Sequence, residues 1–335
     1  MNKRKQDHID ISKKEDVASS YNYWDDVHLV HDALPEIDMD EIDTTWRAFG
    51  AEMNAPVIIA GMTGGCADAT ELNRRLAELA ERYNIGMGVG SQRVALEDEA
   101  AVESYDVITD YDIPLVIANI GAPQLLEWTD ATEKAARAID MINANVLAVH
   151  LNFLQECIQV EGDRHARGVL DELQQLAASL STPVLVKETG AGISRDVALR
   201  LCETDIAGID VGGMSGTSFA AIEAHRARER GDRVQEHLGH LFRDWGIPTP
   251  LSVMEVADVC RDTGMVIIAT GGIRTGLDVA RGIALGADAA GMAAAFLADN
   301  ADEMYETVIQ ALRTAMFLTG CRTLDELREA DVWMS

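Results

Sequence analysis

Lysine is scarce in this acidic chain of 335 residues, which carries six Lys against 22 Arg and a net charge of −28 at pH 7. A surface of this sign argues against nucleic acid or an anionic membrane as a partner. The acid is spread along the chain rather than held in a tail. This is typical of a halophilic surface, because concentrated salt screens the self-repulsion. The scarcity also makes Lys187 conspicuous, since it directly follows the apolar run "PVLV".

Paired cysteines and long apolar runs are missing as well. The five Cys are scattered without a CxxC pair, which argues against a disulfide framework or a zinc site and favours a reducing cytoplasm. The longest apolar runs, such as "MVIIA" at 265–269, are too short to span a bilayer. The start, "MNKRKQDHID", lacks the apolar region of a signal peptide. We therefore predict a cytoplasmic protein, and the 47% of hydrophobic residues allow it a large core.

Eight short apolar runs alternate with segments of helical periodicity. Continuous rather than alternating hydrophobicity is typical of parallel strands that are covered on both faces. The runs are "APVIIAG" (55–61), "NIGMGVG" (84–90), "IPLVIANIG" (113–121), "NVLAVHLN" (145–152), "TPVLVKETG" (182–190), "AGIDVGG" (207–213), "GMVIIATGG" (264–272) and "DAAGMAAAF" (288–296). Eight β–α units predict an α/β fold, the TIM (β/α)8 barrel. The alternative, an open doubly wound sheet, lacks a GxGxxG turn after the first strand.

The barrel is predicted to span 56–320. Residues 1–55 then form an N-terminal extension, and "TLDELREADVW" at 323–333 predicts a C-terminal helix within 321–335. The segment from Gly231 to Pro250 is too long for a plain connection, so we interpret it as a lid or an interface element.

The C-terminal ends of the predicted strands, which form the active face of a TIM barrel, are small and polar. One such Gly is best explained by a tight turn, but eight ends of this kind together favour a bound cofactor. "TGGIRTG" at 270–276 and the later "GMAAAF" fit the phosphate site that this fold builds after strands seven and eight. Lys187 could pair with Glu188, but adjacent strand residues point to opposite faces, so a cofactor role is favoured.

The run "VLAVHLNFLQE" at 146–156 ends in four polar side chains within seven residues: His150, Asn152, Gln155 and Glu156. A single strand-end His is more often a core residue, and a single Glu is usually solvated. Four together at the active face favour a binding site, in which Glu156 offers a hard oxygen ligand for a metal.

Seven motifs in this order resemble the type 2 isopentenyl-diphosphate isomerases, which are flavoenzymes on a TIM barrel. They are "RKQDHI" (4–9), "MTGG" (62–65), "GVGSQR" (88–93), "HLNFLQE" (150–156), "VKETGAGIS" (186–194), "GGMSGTSF" (212–219) and "GGIRTG" (271–276). The resemblance covers almost the whole chain. It implies interconversion of isopentenyl and dimethylallyl diphosphate with reduced FMN, Mg²⁺, and NADPH or NADH as the reductant. Phe219 stands where the family usually has Trp, which is a mild departure.

The resemblance also implies a role for each matching residue. FMN would contact Met62, Thr63, Gly64, Ser91, Asn119, Lys187 and Thr217, and its phosphate would meet the backbone of Gly272, Ile273, Arg274, Ala293 and Ala294. The substrate diphosphate would meet Arg4, Lys5, Ser91, Gln92, Arg93, His150 and Asn152. Gln155 would lie beside the isoprenoid and act with Lys187 in catalysis, with the flavin as acid and base. Glu156 would bind Mg²⁺.

Two other functions remain open at this stage. An FMN-dependent 2-hydroxy-acid oxidase or dehydrogenase shares the barrel, but it needs a His-Gly-Gly-Arg setting before strand seven, and "WGIPTPLSVMEV" at 245–256 has neither His nor Arg. A non-catalytic flavin-binding protein would not need Arg4, Lys5, Gln155 and Glu156 together. The resemblance further implies a homotetramer or homo-octamer, in which the N-terminal arm could reach a neighbour's site.

Overall fold

Eight parallel strands close into a barrel in the computed structural model, which describes residues 3–298 and 300–335, without the side chains of residues 3, 4, 13 and 67. The barrel strands are β4 (Val57–Ile59), β5 (Gly86–Gly88), β6 (Val116–Gly121), β7 (Val146–Leu151), β8 (Val184–Glu188), β9 (Gly208–Asp210), β10 (Val266–Thr270) and β11 (Ala289–Met292). Each lies within one of the eight apolar runs. The predicted TIM barrel is therefore confirmed.

Both faces of these strands are covered, which explains their continuous hydrophobicity. All six residues of β6 are buried, as are the first five of β7. Neighbouring strands are in register, so that His150 lies beside Lys187 and Lys187 lies beside Asp210. Paired residues of parallel strands point to the same face, so this register places three polar side chains at one level of the barrel.

Helices follow most barrel strands, as in other β–α units. In chain order the helices are α1 (Lys3–Lys14), α2 (Ala67–Tyr83), α3 (Arg93–Glu97), α4 (Glu103–Asp106), α5 (Ala122–Glu127), α6 (Ala131–Met141), α7 (Phe153–Ile158), α8 (Val169–Ser179), α9 (Arg195–Leu201), α10 (Phe219–Glu229), α11 (Arg233–Leu241), α12 (Thr249–Cys260), α13 (Gly276–Ala284), α14 (Ala301–Leu318) and α15 (Leu324–Arg328). Within the described ranges, none of these helices combines the length and the apolar character that a membrane crossing requires.

The N-terminal extension supplies α1 and three short strands, which form two small sheets outside the barrel together with a strand from the end of the chain. Strand β2 (Trp46–Ala48) pairs with β3 (Ala51–Met53) in a hairpin. Strand β1 (Val27–Leu29) pairs in antiparallel fashion with β12 (Val332–Met334), the last strand of the chain. Helix α1 packs on α10 through a small apolar cluster that includes Ile11 and Ile222.

The helix predicted over 323–333 is correct only for its first half. Helix α15 ends at Arg328, and the following residues turn into β12. The sequence pattern predicts that the helix continues through Val332, Trp333 and Met334. These residues instead form an antiparallel backbone pairing with β1. A β-sheet pairing partner that lies about three hundred residues away cannot be read from a local pattern.

The segment from Gly231 to Pro250 forms α11 and the start of α12. Helix α11 packs along α10, and the following loop holds the N-terminal arm, because Arg243 donates to the carbonyl oxygen of Ala18. Val234, Leu241 and Trp245 remain exposed. The interpretation as an interface element stays a prediction.

Candidate active site

A cavity opens among the C-terminal ends of the barrel strands. Its lining combines small residues, aliphatic residues and four polar side chains: Asn119, Lys187, Asp210 and Thr270. Three of these come from residues that end or nearly end a strand, where the alternation of the strand turns the side chain inward. We call this cavity the barrel mouth.

Lys187 carries the positive charge at the barrel mouth. Its Nζ donates to the backbone carbonyl oxygen of Glu188 at 2.8 Å and not to the Glu188 carboxylate. The two adjacent side chains therefore point to opposite faces, as predicted. Burial raises the pKa of neighbouring Asp210, and the charge of Lys187 offsets part of that rise. An ammonium group in this position suits a large electron-rich ligand.

Glu188 fixes the loop that follows β8. One of its carboxylate oxygens accepts hydrogen bonds from the backbone N–H groups of Thr189, Gly190 and Ala191. Burial raises the Glu188 pKa to about 7, although these N–H groups act in the opposite direction. The loop that follows Glu188 is therefore held by a buried carboxylate.

One buried hydroxyl group beside the barrel mouth is suited to a ligand contact. Thr63 Oγ1 is buried and has no hydrogen-bond partner among the described residues. Buried hydroxyls are normally paired, so an unpaired one indicates a missing ligand or water. An isoalloxazine carbonyl oxygen or ring nitrogen could pair with this hydroxyl, and Lys187 could face the ring. The chemistry of these two donors and of the small rim residues is suited to FMN.

The implied phosphate position lies in the loop between β10 and α13. Gly271 and Gly272 adopt positive φ angles of 117° and 76°, which aim the loop backbone in a way that L residues rarely allow. The N-terminal extension pins the loop from behind, because Asn22 Nδ2 and Trp24 Nε1 donate to its carbonyl oxygens, each at 2.8 Å. The helix N-terminus that follows is suited to an anion.

Asp278 already uses two backbone N–H groups of this loop. Its Oδ2 accepts from the N–H groups of Arg274 and Thr275, which closes a capping box at the start of α13. The Arg274 side chain pairs outward with Asp25 at 2.5 Å. The Arg274 backbone N–H is therefore already occupied. Of the implied phosphate contacts in this loop, the backbone N–H groups of Gly272 and Ile273 are better placed to bind an anion. Ala293 and Ala294 lie where β11 passes into a short 3-10 helix, Ala294–Phe296.

Gln92 does not face the barrel mouth. Its side chain is fully buried, its Nε2 donates to the carbonyl oxygen of Ala138, and its Oε1 accepts from the backbone N–H of Asn119. The side chain thus holds strand β6 in place, and a direct substrate contact would fall to its backbone. Asn119 in turn accepts from His150 Nδ1 at 2.8 Å, which fixes the ring of His150.

The rim residue Ser91 brings the arm to the barrel of its own chain. Lys5 Nζ donates to the carbonyl oxygen of Ser91 at 3.3 Å, and the hydroxyl of Tyr105 donates to the same oxygen. Met62 and Gly64 lie in the loop after β4, and Thr217 pairs through its backbone with Ala18 of the arm linker. The Arg4 side chain lies outside the described part. Arm and rim therefore meet within one chain.

Three of the four polar residues at the end of β7 contact one another, namely Asn152, Gln155 and Glu156, whereas His150 bonds Asn119. Asn152 Nδ2 donates to Glu156 Oε1 at 2.9 Å, and the backbone N–H of Asp163 donates to Glu156 Oε2 at 2.8 Å. Asn152 Oδ1 and Gln159 Oε1 are buried beside Glu156 without a partner among the described residues. Arg93 lies across the adjoining cleft.

This oxygen-rich corner fits Mg²⁺ only in part. Over residues 3–298 and 300–335, no three His, Cys, Asp or Glu side chains are grouped as a metal cluster. Mg²⁺, however, is commonly bound by one or two carboxylates together with substrate phosphates and water. Glu156 and the unpaired carbonyl oxygens of Asn152 and Gln159 can supply the protein's share of such a shell.

Glu223 and Arg226, both on α10, were not predicted from the sequence, and they lie beside the candidate site residues. Glu223 accepts hydrogen bonds from Gln155 Nε2 at 3.1 Å and from His8 Nε2 at 2.8 Å. Burial raises the Glu223 pKa, but its hydrogen bonds and the charge of Arg226 bring the net shift below the ordinary value. Burial lowers the pKa of His8, so a neutral ring donates one N–H to an ionised carboxylate. A Glu and an Arg three apart on an Ala-rich helix face were the available signal.

Comparison with known proteins agrees with this geometry. Residues 152–334 match the family described as FMN-dependent dehydrogenase, which defines the chain as a flavin-dependent barrel protein. The chain is 45% identical to the isopentenyl-diphosphate delta-isomerase of Thermoplasma acidophilum, over 97% of this chain and 94% of the relative. The same identity relates it to the isomerases of Archaeoglobus fulgidus, over 99% and 96%, and Halobacterium salinarum, over 98% and 92%. The chain therefore belongs to the isopentenyl-diphosphate delta-isomerase family, in its type 2, FMN-dependent form.

Proposed function

We propose that this protein interconverts isopentenyl diphosphate and dimethylallyl diphosphate for isoprenoid biosynthesis. The reaction moves a carbon–carbon double bond by one position, so a proton must be added at one carbon and removed from another. The observation that carries the proposal is the pairing of Lys187 and Asn119 at the barrel mouth with a fixed amide on the helix after β7. Gln155 Nε2 donates to Glu223, which holds that amide in one orientation.

The diphosphate would be held by residues of the rim, the arm and the end of β7. Arg93 and Lys5 supply positive charge, and Arg4 precedes Lys5 on α1. His150 Nδ1 is committed to Asn119, so a phosphate contact through Nε2 requires the doubly protonated ring. Asn152 would add an amide. Charge-assisted hydrogen bonds of this kind position the substrate far from its reacting carbons.

Mg²⁺ is proposed to neutralise the rest of the diphosphate charge. Glu156 is its ligand, and the nearby amide oxygens of Asn152 and Gln159 are buried and in need of a partner. A hard cation prefers such oxygen ligands.

Bound in its reduced form, FMN would supply the acid and the base for the proton transfers without a net redox change. Lys187 would stabilise the negative charge of that form, because its ammonium group stands at the barrel mouth. Gln155 would position the isoprenoid, because its Nε2 is already committed to Glu223. NADPH or NADH is proposed as the reductant.

Turnover assays separate this function from its alternatives. The purified protein, with photoreduced FMN and Mg²⁺, should convert isopentenyl diphosphate and leave 2-hydroxy acids unchanged. Oxidation of a 2-hydroxy acid would show an oxidase or dehydrogenase instead. Flavin binding without turnover of either substrate would show a non-catalytic protein.

We further propose a cytoplasmic, salt-adapted homotetramer or homo-octamer. The net charge of −28 supports adaptation to salt. Exposed apolar side chains on α11 and on the β1–β12 sheet support assembly: Val234, Leu241, Trp333 and Met334. Light scattering across a salt titration would test both points.

A further inference from the structure

One buried guanidinium group joins three carboxylates from three separate parts of the chain. The side chain of Arg226 on α10 is only 2% exposed. Its two terminal nitrogens lie 2.5 Å from Glu223 Oε2 and 2.7 Å from Glu161 Oε1. Its Nε has no hydrogen-bond partner among the described residues, and Asp7 Oδ2 on α1 lies 3.6 Å from it.

This arrangement determines how Glu223 can act. A buried carboxylate tends to become neutral unless a charge offsets its lost hydration. Arg226 is permanently charged, so it keeps Glu223 ionised and able only to accept hydrogen bonds. Glu223 must then receive the N–H of Gln155 and the N–H of His8. The orientation of the Gln155 amide therefore depends on the charge of Arg226.

The same guanidinium also connects the site to the arm. Helix α1 carries Lys5, which reaches the rim at Ser91, and one turn later it carries Asp7 and His8, which face Arg226 and Glu223. Docking of α1 and orientation of Gln155 thus share one ion-pair cluster. Glu161, in the loop after α7, completes it.

We propose that Arg226 is a positioning residue that couples docking of the arm helix α1 to the orientation of the Gln155 amide. The inference rests on the proposed function, in which Gln155 lies beside the reacting carbons. Arg226 itself touches neither substrate nor flavin. Without it, Gln155 would lose its fixed amide orientation and α1 would lose its buried counter-charge.

The main test compares Arg226→Met, Arg226→Lys and the control Arg230→Met in the full-length FMN-loaded protein. Arg230 pairs with both oxygens of Glu161 and is 43% exposed, but it forms no ion pair with Glu223 among the described residues, so its loss leaves the Glu223–Arg226 pair in place. Arg226→Met should keep FMN but lower kcat about 100-fold, since misplacement of a group near the reacting atoms can cost that much. Arg226→Lys should recover part of kcat, and Arg230→Met should match the wild type.

Limited trypsin digestion tests the arm without any activity assay. Cleavage within α1 should be slow in the wild type and slower still with saturating inorganic pyrophosphate. It should be at least tenfold faster in Arg226→Met and insensitive to pyrophosphate. Asp7→Asn, a milder change in α1, provides a second variant in case Arg226→Met does not fold, and it should also speed cleavage.

Wild-type kcat in Arg226→Met, or equal arm cleavage in every variant, would overturn the proposal. A loss of kcat in Arg226→Met that persists unchanged in Arg226→Lys would also overturn the proposal, because a purely structural ion pair predicts that result. If the wild-type protein fails to turn over isopentenyl diphosphate, the proposed function fails. The trypsin comparison would still decide whether Arg226 holds the arm.

Discussion

The two sides of the candidate site are built by different means. The loop between β10 and α13 is built from backbone, with Gly271 and Gly272 in positive φ and the Arg274 side chain paired with Asp25. The end of β7 is built from side chains that reach α1 and α10. A backbone site depends on local conformation, whereas a side-chain site depends on buried charges that distant elements bring together.

The largest effect is expected from Gly272→Ala in the backbone-built loop. An added Cβ would lie 2.4 Å from the Ser215 carbonyl oxygen, at a φ of 76°. Strain and overlap together should cost about 2–5 kcal/mol of unfolding free energy and weaken FMN binding. Urea unfolding and flavin absorbance measure the two effects. Gly264→Ala is the matched control, because its φ is 74° and no atom lies within 4 Å of the new Cβ.

Gly264→Ala should cost only about 1 kcal/mol and leave FMN bound. Equal losses of unfolding free energy in the two variants would mean that conformational strain alone accounts for the effect of Gly272→Ala. The close approach to Ser215 would then have no role.

Removal of residues 1–8 should break the side-chain site and leave the backbone site intact. The protein should remain folded and yellow, since the barrel strands begin at Val57. Its kcat/KM for isopentenyl diphosphate should fall roughly 100-fold, because the lost phosphate contacts also position the substrate. Steady-state kinetics with measured FMN content would show this. A truncated protein with full kcat/KM would remove the arm from the site.

Within the side-chain site, Glu156 and Gln155 should separate into metal and positioning roles. Glu156→Gln should raise the Mg²⁺ concentration for half-maximal activity by about tenfold or more, because an amide lacks the charge of a carboxylate. Gln155→Asn keeps the amide but withdraws it from Glu223, so it should lower kcat and leave the Mg²⁺ curve unchanged. A Mg²⁺ curve that shifts only in Gln155→Asn would place the assignment one residue out of register.

The smallest effect concerns the acid stability of the charge cluster. Burial raises the pKa of Glu161, but Arg226 and Arg230 bring it down from 4.5 to about 2. A lowered pKa stabilises the fold above the ordinary pKa, and this contribution is lost as the pH falls toward about 2. Glu161 is 37% exposed, so the discounted contribution is about 1 kcal/mol.

Urea unfolding of the wild type and Glu161→Gln should therefore differ at pH 7 and converge only as the pH falls from 4.5 toward about 2. Glu329→Gln, at an exposed position, is the control. A gap that stays constant with pH would show that the Glu161 carboxylate contributes through packing rather than charge.

Several features could be predicted because their cause is local. The strands could be predicted from runs such as "PVLVKE", because a continuous series of apolar residues indicates burial on both faces of a strand. Lys187 was visible because a charge at the end of such a run needs a partner. Gln92 was harder to interpret. Its motif indicates a ligand contact, but in the folded chain its side chain is buried and donates to the carbonyl oxygen of Ala138.

The eight strands, the helices between them and the face on which the site lies follow from sequence periodicity, since hydrophobic burial acts on each segment separately. The pairing of β1 with β12 and the cluster of His8, Gln155, Glu223 and Arg226 do not. His8 and Glu223 stand 215 residues apart and meet only when the barrel closes and α1 packs on α10. Their hydrogen bond persists there because burial removes the water that would otherwise replace each partner, and burial is decided by the tertiary structure alone.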